Sequence, residues 1–155
     1  MVSSQSTNTN LIEQVRKLLD ERRADEAFKT LSRVHEECTW VRNARAVCLM
    51  RLGQAREAAR ILRSLVFREG TVAMREDVPD AVKLNYVAAM LMTGNVAGAA
   101  GVLNEIDGSL PMARRLREAI RAWKKRRPLW SRLAMSLGML PYDAPVPLDF
   151  PPGEI

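Results

Sequence analysis

The chain has 155 residues, 47% of them apolar and 27% charged, with a formal net charge of +6 at pH 7. That length suits one domain with a sizeable core, and abundant Ala, Leu, Arg and Glu beside 5% aromatics favour helix over sheet. The longest apolar run, Tyr86–Met92, is far short of the about 20 residues that cross a membrane, which excludes a membrane span and predicts a soluble chain.

The opening stretch MVSSQSTNTN is polar, lacks the apolar block of a signal peptide, and is expected to be disordered over residues 1–9. Asn10 and Glu13 then have the spacing of a capping box. Leu11, Val15, Leu18 and Leu19 follow on one helical face. Arg22-Arg23 makes a turn, and a second helix runs from Ala24 to about Glu36. A third helix starts near Thr39 and stops at Gly53; a fourth spans Ala55 to Phe67. Arg68 to Val78 is a polar connection. Pro79 suits the first turn of a fifth helix reaching Met92, and a sixth runs from Asn95 to Ile106. Pro111 opens a seventh, with Met112, Leu116, Ile120 and Trp123 as its apolar stripe. Pro128 breaks it, and a short helix carrying Leu129, Trp130, Leu133 and Leu137 is expected before Gly138. Residues 139–155 hold five prolines and are expected to be an extended tail.

These helices fall into pairs with a shared register. Ala27, Ala58 and Ala99 each stand five residues past a turn at Arg22, Gly53 or Gly94; Leu31, Leu62 and Leu103 follow, then Val34, Leu65 and Ile106. Val15, Ala46 and Val87 precede the turns by seven. The alanine spacings, 31 and 41, bracket the 34-residue period of tetratricopeptide (TPR) repeats. Over residues 10–106 the chain therefore resembles a TPR or TPR-like helical-repeat protein. Gly53, Ala58, Leu62 and Gly94, Ala99, Leu103 match the second half of the motif. The early Trp and Gly and the closing Pro are missing from each copy. The resemblance implies an all-α, right-handed superhelix of about three helix hairpins over residues 10–138, with a C-terminal capping helix and an extended tail.

It also implies a function. TPR proteins hold extended peptides, some by a terminal carboxylate, on the concave face lined by the first helix of each repeat. Arg16, Arg42, Asn43, Lys83 and Asn85 lie on those helices and are the candidate groove residues, although Ile12 and Ala44 replace polar residues that a full carboxylate clamp would need. The expected function is a non-catalytic adaptor or scaffold in the cytoplasm that binds a protein or peptide segment. A small cytoplasmic chaperone similar to the TPR chaperones of type III secretion is the alternative within the same fold.

A different class of alternative rests on charge. Between Pro111 and Gly138 nine basic residues face one acid, Glu118, so the segment carries +8 and the rest of the chain −2. Arg114, Arg115, Arg117, Arg121, Lys124, Lys125, Arg126 and Arg127 form most of this patch, which would suit nucleic acid or another polyanion through residues 111–132. No aromatic interleaves the KKRR run, so a solvated helix face is the preferred reading and nucleic acid the disfavoured partner.

Chemistry has little to work with. His35 is the only histidine and has no Ser or Asp arranged around it. Cys38 and Cys48 read as two reduced thiols, not a disulfide or a metal site, and no cofactor or metal is expected. Within the tail, Val146, Leu148 and Phe150 alternate and would share one side of an extended chain. Proline lowers the entropy lost on fixing that segment. The tail is thus expected to be ordered, packed either on its own repeats or on those of a second copy.

Overall fold

A computed structural model describes residues 2–35, 38–129, 133–134, 137 and 144–155, with backbone alone for 2–8. Among these residues the fold is all-α, with seven helices: α1 (Val2–Asp20), α2 (Ala24–Ser32), α3 (Thr39–Arg51), α4 (Ala55–Val66), α5 (Asp80–Met92), α6 (Val96–Asn104) and α7 (Pro111–Lys125). No β-strand occurs among them; the long connection is pinched by a single bridge between Phe67 and Met74. None of the helices is long and apolar enough to cross a membrane. The expected helix after Pro128 lies largely outside the described residues, as do Trp130, Arg132 and Gly138.

Each of the first three helix pairs turns in the same way. Arg22, Gly53 and Gly94 adopt φ of 61°, 78° and 89°. The next amide in each case reaches back to the carbonyl five residues earlier: Arg23 to Leu18 at 2.8 Å, Gln54 to Leu49 at 2.8 Å and Asn95 to Met90 at 2.9 Å. Arg22, Gly53 and Gly94 themselves donate to Leu19, Met50 and Leu91. This double bond pattern satisfies the orphan carbonyls of a helix end and requires a left-handed residue, which glycine supplies without strain. Arginine supplies it at the first turn at a cost of about 1–2 kcal/mol.

Five residues past each turn, Ala27, Ala58 and Ala99 are fully buried, and Leu31, Leu62 and Leu103 behind them are buried as well. A methyl group there lets the two helices of a pair approach closely. Helices then pack mainly on their neighbours in sequence, with further contacts of α3 on α5 and α5 on α7. Two arginines tie successive pairs together. Arg45 on α3 donates to the carbonyls of Leu31 and Val34, both at 3.0 Å. Arg117 on α7 makes the same pair of bonds to Leu103 (2.6 Å) and Ile106 (3.3 Å). Each guanidinium thereby neutralises the carbonyl end of the preceding helix.

Two features depart from the sequence reading. Helix α1 begins at Val2, so residues 2–9 are helical and Asn10 lies within the helix, not at its cap. Neither Pro nor Gly interrupts this stretch, and once Leu11–Leu19 is fixed, extending a helix needs no new nucleus. Helices α2 and α6 also stop earlier than expected, at Ser32 and Asn104, because their last residues tighten into turns.

Candidate functional site: a groove filled by the chain's own tail

Residues 144–155 lie across the odd-numbered helices α1, α3, α5 and α7. The segment enters where the Val146 amide donates to the Leu91 carbonyl at 2.9 Å, near the end of α5. The Val146 side chain is buried, and so is Phe150, whose ring lies 4.9 Å beneath the Arg115 guanidinium of α7. The chain then turns at Gly153, with φ of 80°. A Cβ at this position would come within 2.8 Å of Val47 Cγ2 and Met50 Cε on α3, so the backbone fits there only because it carries no side chain.

Past the turn, polar side chains hold the backbone. Asn85 on α5 accepts from the Glu154 amide (3.0 Å) and donates to the Glu154 carbonyl (2.8 Å), pairing with one residue as a neighbouring β-strand would. The same Asn85 amide nitrogen donates to Asn43 Oδ1 on α3 at 2.9 Å. Both asparagines are buried, the condition under which a side-chain amide must find partners or destabilise the fold. Arg51 ends α3 and reaches three carbonyls: Leu19 (2.8 Å), Pro152 (3.3 Å) and Gly153 (3.1 Å). Burial lowers its pKa from the ordinary arginine value while nearby Asp20 raises it. Arg16 on α1 donates to the Ile155 backbone oxygen at 2.8 Å.

Of the five groove residues expected from sequence, the structure thus brings Arg16 and Asn85 to the tail, with Asn43 bonded to Asn85 behind it. Arg42 and Lys83 are engaged elsewhere. Arg42 donates to Ser64 of α4 at 2.6 Å, and Lys83 pairs with Asp80 one turn earlier on α5 at 3.2 Å. Arg42 is one residue and Lys83 two residues before an asparagine, and helix positions one or two apart do not face the same way. Arg51 was missed, although Asn43, Val47 and Arg51 stand at i, i+4 and i+8 on one face.

Three members of the basic patch on and just after α7 are engaged within the chain. Arg115 covers Phe150, Arg117 caps α6, and Arg127 stacks on the Trp123 ring at 4.5 Å. Arg114, Arg121, Lys125 and Arg126 are exposed. A cleft of about 320 Å³ remains between α7 and the tail, where Arg115, Trp123 and Arg126 face Leu148 and Asp149.

Comparison with protein-family models, with curated proteins and with solved structures gives no match for the chain. The site must therefore be read from its own geometry. Among the described residues no group of three or more His, Cys, Asp or Glu could hold a metal ion. Cys48 is buried, and burial pushes its thiol up to about 11, while Cys38 is partly exposed. Alkylation follows thiolate population and access. Native chain treated with iodoacetamide at pH 8 should accept label at Cys38 and spare Cys48 until denaturant is added; rapid labelling of both thiols in the native state would contradict this burial.

Proposed function

We propose that the protein is a TPR-like interaction module, a right-handed superhelix of three helix hairpins capped by α7, which binds an extended peptide in the concave groove of its odd-numbered helices. The reading is of a non-catalytic adaptor in the cytoplasm. The observation that carries it is the two-point hold of Asn85 on the Glu154 backbone, deep between α3 and α5. A buried amide that pairs with a passing backbone is a device for binding peptide whatever its side chains, the same economy used when a strand is added to a sheet edge. The shared turn geometry at Arg22, Gly53 and Gly94 supports the repeat architecture. The polyanion alternative is weakened because Arg115, Arg117 and Arg127 are engaged within the chain.

The test is a titration. The full chain carrying Gly153→Val, which removes the tail's own fit, is mixed with a fluorescent dodecapeptide of residues 144–155, APVPLDFPPGEI. Saturable binding is expected, and adding Asn85→Ala to the chain should weaken it at least tenfold. If the folded Gly153→Val chain, with its tail amides unprotected from exchange, binds no peptide at all, the groove is not a peptide site.

A further inference from the structure

We propose that the groove selects acidic, proline-flanked peptides with an apolar residue, a Phe four positions later and a Gly three beyond that, and that the chain's tail holds the groove closed until such a peptide displaces it. The proposal rests on the peptide-binding reading above and names its ligand and its regulation.

The pattern is written in the tail's burial. Val146, Phe150 and Gly153 are buried, while Pro145, Pro147, Asp149, Pro151 and Glu154 between and beside them are exposed. The first two positions take side chains into the helix face. The third takes none, because Val47 and Met50 occupy the space that a Cβ would need.

The backbone contacts add a second rule. Amide hydrogens are used at Val146 and Glu154, so proline is barred from both. At Pro152 and Gly153 only the carbonyls are used, by Arg51. All four prolines of the segment, at 145, 147, 151 and 152, thus fall where no N–H is required. They also reduce the entropy lost on docking.

Charge supplies the third element. Asp149 and Glu154 are the only charged side chains of residues 144–155. The surrounding wall carries Arg16, Arg22, Arg51, Arg115 and Arg126 against Asp20 and Glu118, a basic excess of three, with Arg115, Arg126 and Glu118 lining the same cleft as Asp149. A basic peptide would meet this wall with like charge.

Regulation follows from tethering. Tethered in the same chain at an effective concentration of about 1 mM, the tail obliges a ligand of about 10 µM affinity to compete against its own intramolecular mimic. Wild-type chain is therefore expected to bind the dodecapeptide about 100-fold more weakly than the Gly153→Val chain. Phe150→Ala in the full chain is a second releasing variant and should behave like Gly153→Val.

The experiment is one panel of labelled dodecapeptides titrated against wild-type chain and both releasing variants, with sizing chromatography of each. Peptides carrying Phe150→Ala, Gly153→Ala or Glu154→Pro should lose at least tenfold in affinity for the released chains. Peptides carrying Asp149→Lys should lose about three- to tenfold and Pro151→Ala about threefold, smaller losses because both positions are exposed. Equal binding of all peptides would overturn the selectivity while leaving the peptide-binding reading intact. Absence of binding by every peptide, the parent included, would instead remove that reading. Equal affinity of wild-type and released chains would overturn the closure, and so would dimeric wild-type chain that becomes monomeric on tail release, since the tail would then serve a second copy.

Discussion

The full chain carrying Phe150→Ala should melt below the wild type and lose exchange protection at the Val146 and Glu154 amides, with α1–α7 still helical. Phe150 is buried beneath Arg115. Truncating a buried Phe to Ala costs about 3–5 kcal/mol when the cavity must be tolerated. The loss of the guanidinium–ring contact adds about 0.5–1 kcal/mol. A tail can avoid that cost by leaving, so the observed destabilisation is capped at the free energy of docking the whole segment. Local exchange should therefore respond more strongly than the global melt. Protection of Val146 and Glu154 at wild-type levels in this variant would show that Phe150 does not anchor the segment.

Leu62→Ala should produce the larger global effect. Leu62 is fully buried on α4, which packs on α3 on one side and α5 on the other. No segment can be released to relieve the cavity, so the full cost of about 2–5 kcal/mol should appear as lost stability. For a chain of this size each kcal/mol moves the melting temperature by about 2–4 °C, giving a fall of about 4–20 °C. A urea titration should show a lower midpoint with an unchanged slope, the signature of a cooperative unit. A reduced slope would mean that the helix pairs on either side of α4 unfold separately, and a midpoint equal to that of the wild type would mean that Leu62 is not a core residue.

Much of the architecture was legible from local chemistry. Gly53 and Gly94 mark turns because few other residues accept their backbone conformation, and the periodic alanines and leucines behind them fix which helix faces meet. The turn at Arg22 was legible only through that register, since arginine carries no turn signal of its own. Asn43 and Asn85 could be singled out only by their place on the first helices of the pairs, where the resemblance implies a peptide clamp. Sequence order could not reveal what they bind, because Glu154 lies 69 residues from Asn85. Arg51 was illegible for a related reason. A terminal arginine on a helix ordinarily reads as a solvated cation favouring the carbonyl end, and only the tail's return gives it further acceptors. Arg115 and Arg117, two residues apart, show the limit of charge counting: one covers an aromatic ring of the tail and the other closes a helix end, although both read as members of a single basic surface. The helical residues 2–9 show the same limit at the N-terminus, where a polar composition implied disorder but nothing in the residues forbids a helix.

The bonds from Arg16 to Ile155 and from Arg51 to Gly153 span 139 and 102 residues, whereas the helix pairs are held chiefly by neighbours in sequence. Contacts of the second kind form quickly because they close short loops; those of the first must wait. The tail's berth is assembled from α1, α3, α5 and α7 together and does not exist until all four are in place. Docking is therefore expected to be the final step of folding, and its contacts join the first helix to the seventh. Helices that pack chiefly on their sequence neighbours fray from the ends; a strap joining α1 to α7 is expected to make the loss of either end unfavourable for the other, drawing separable parts towards the all-or-none behaviour of a closed chain.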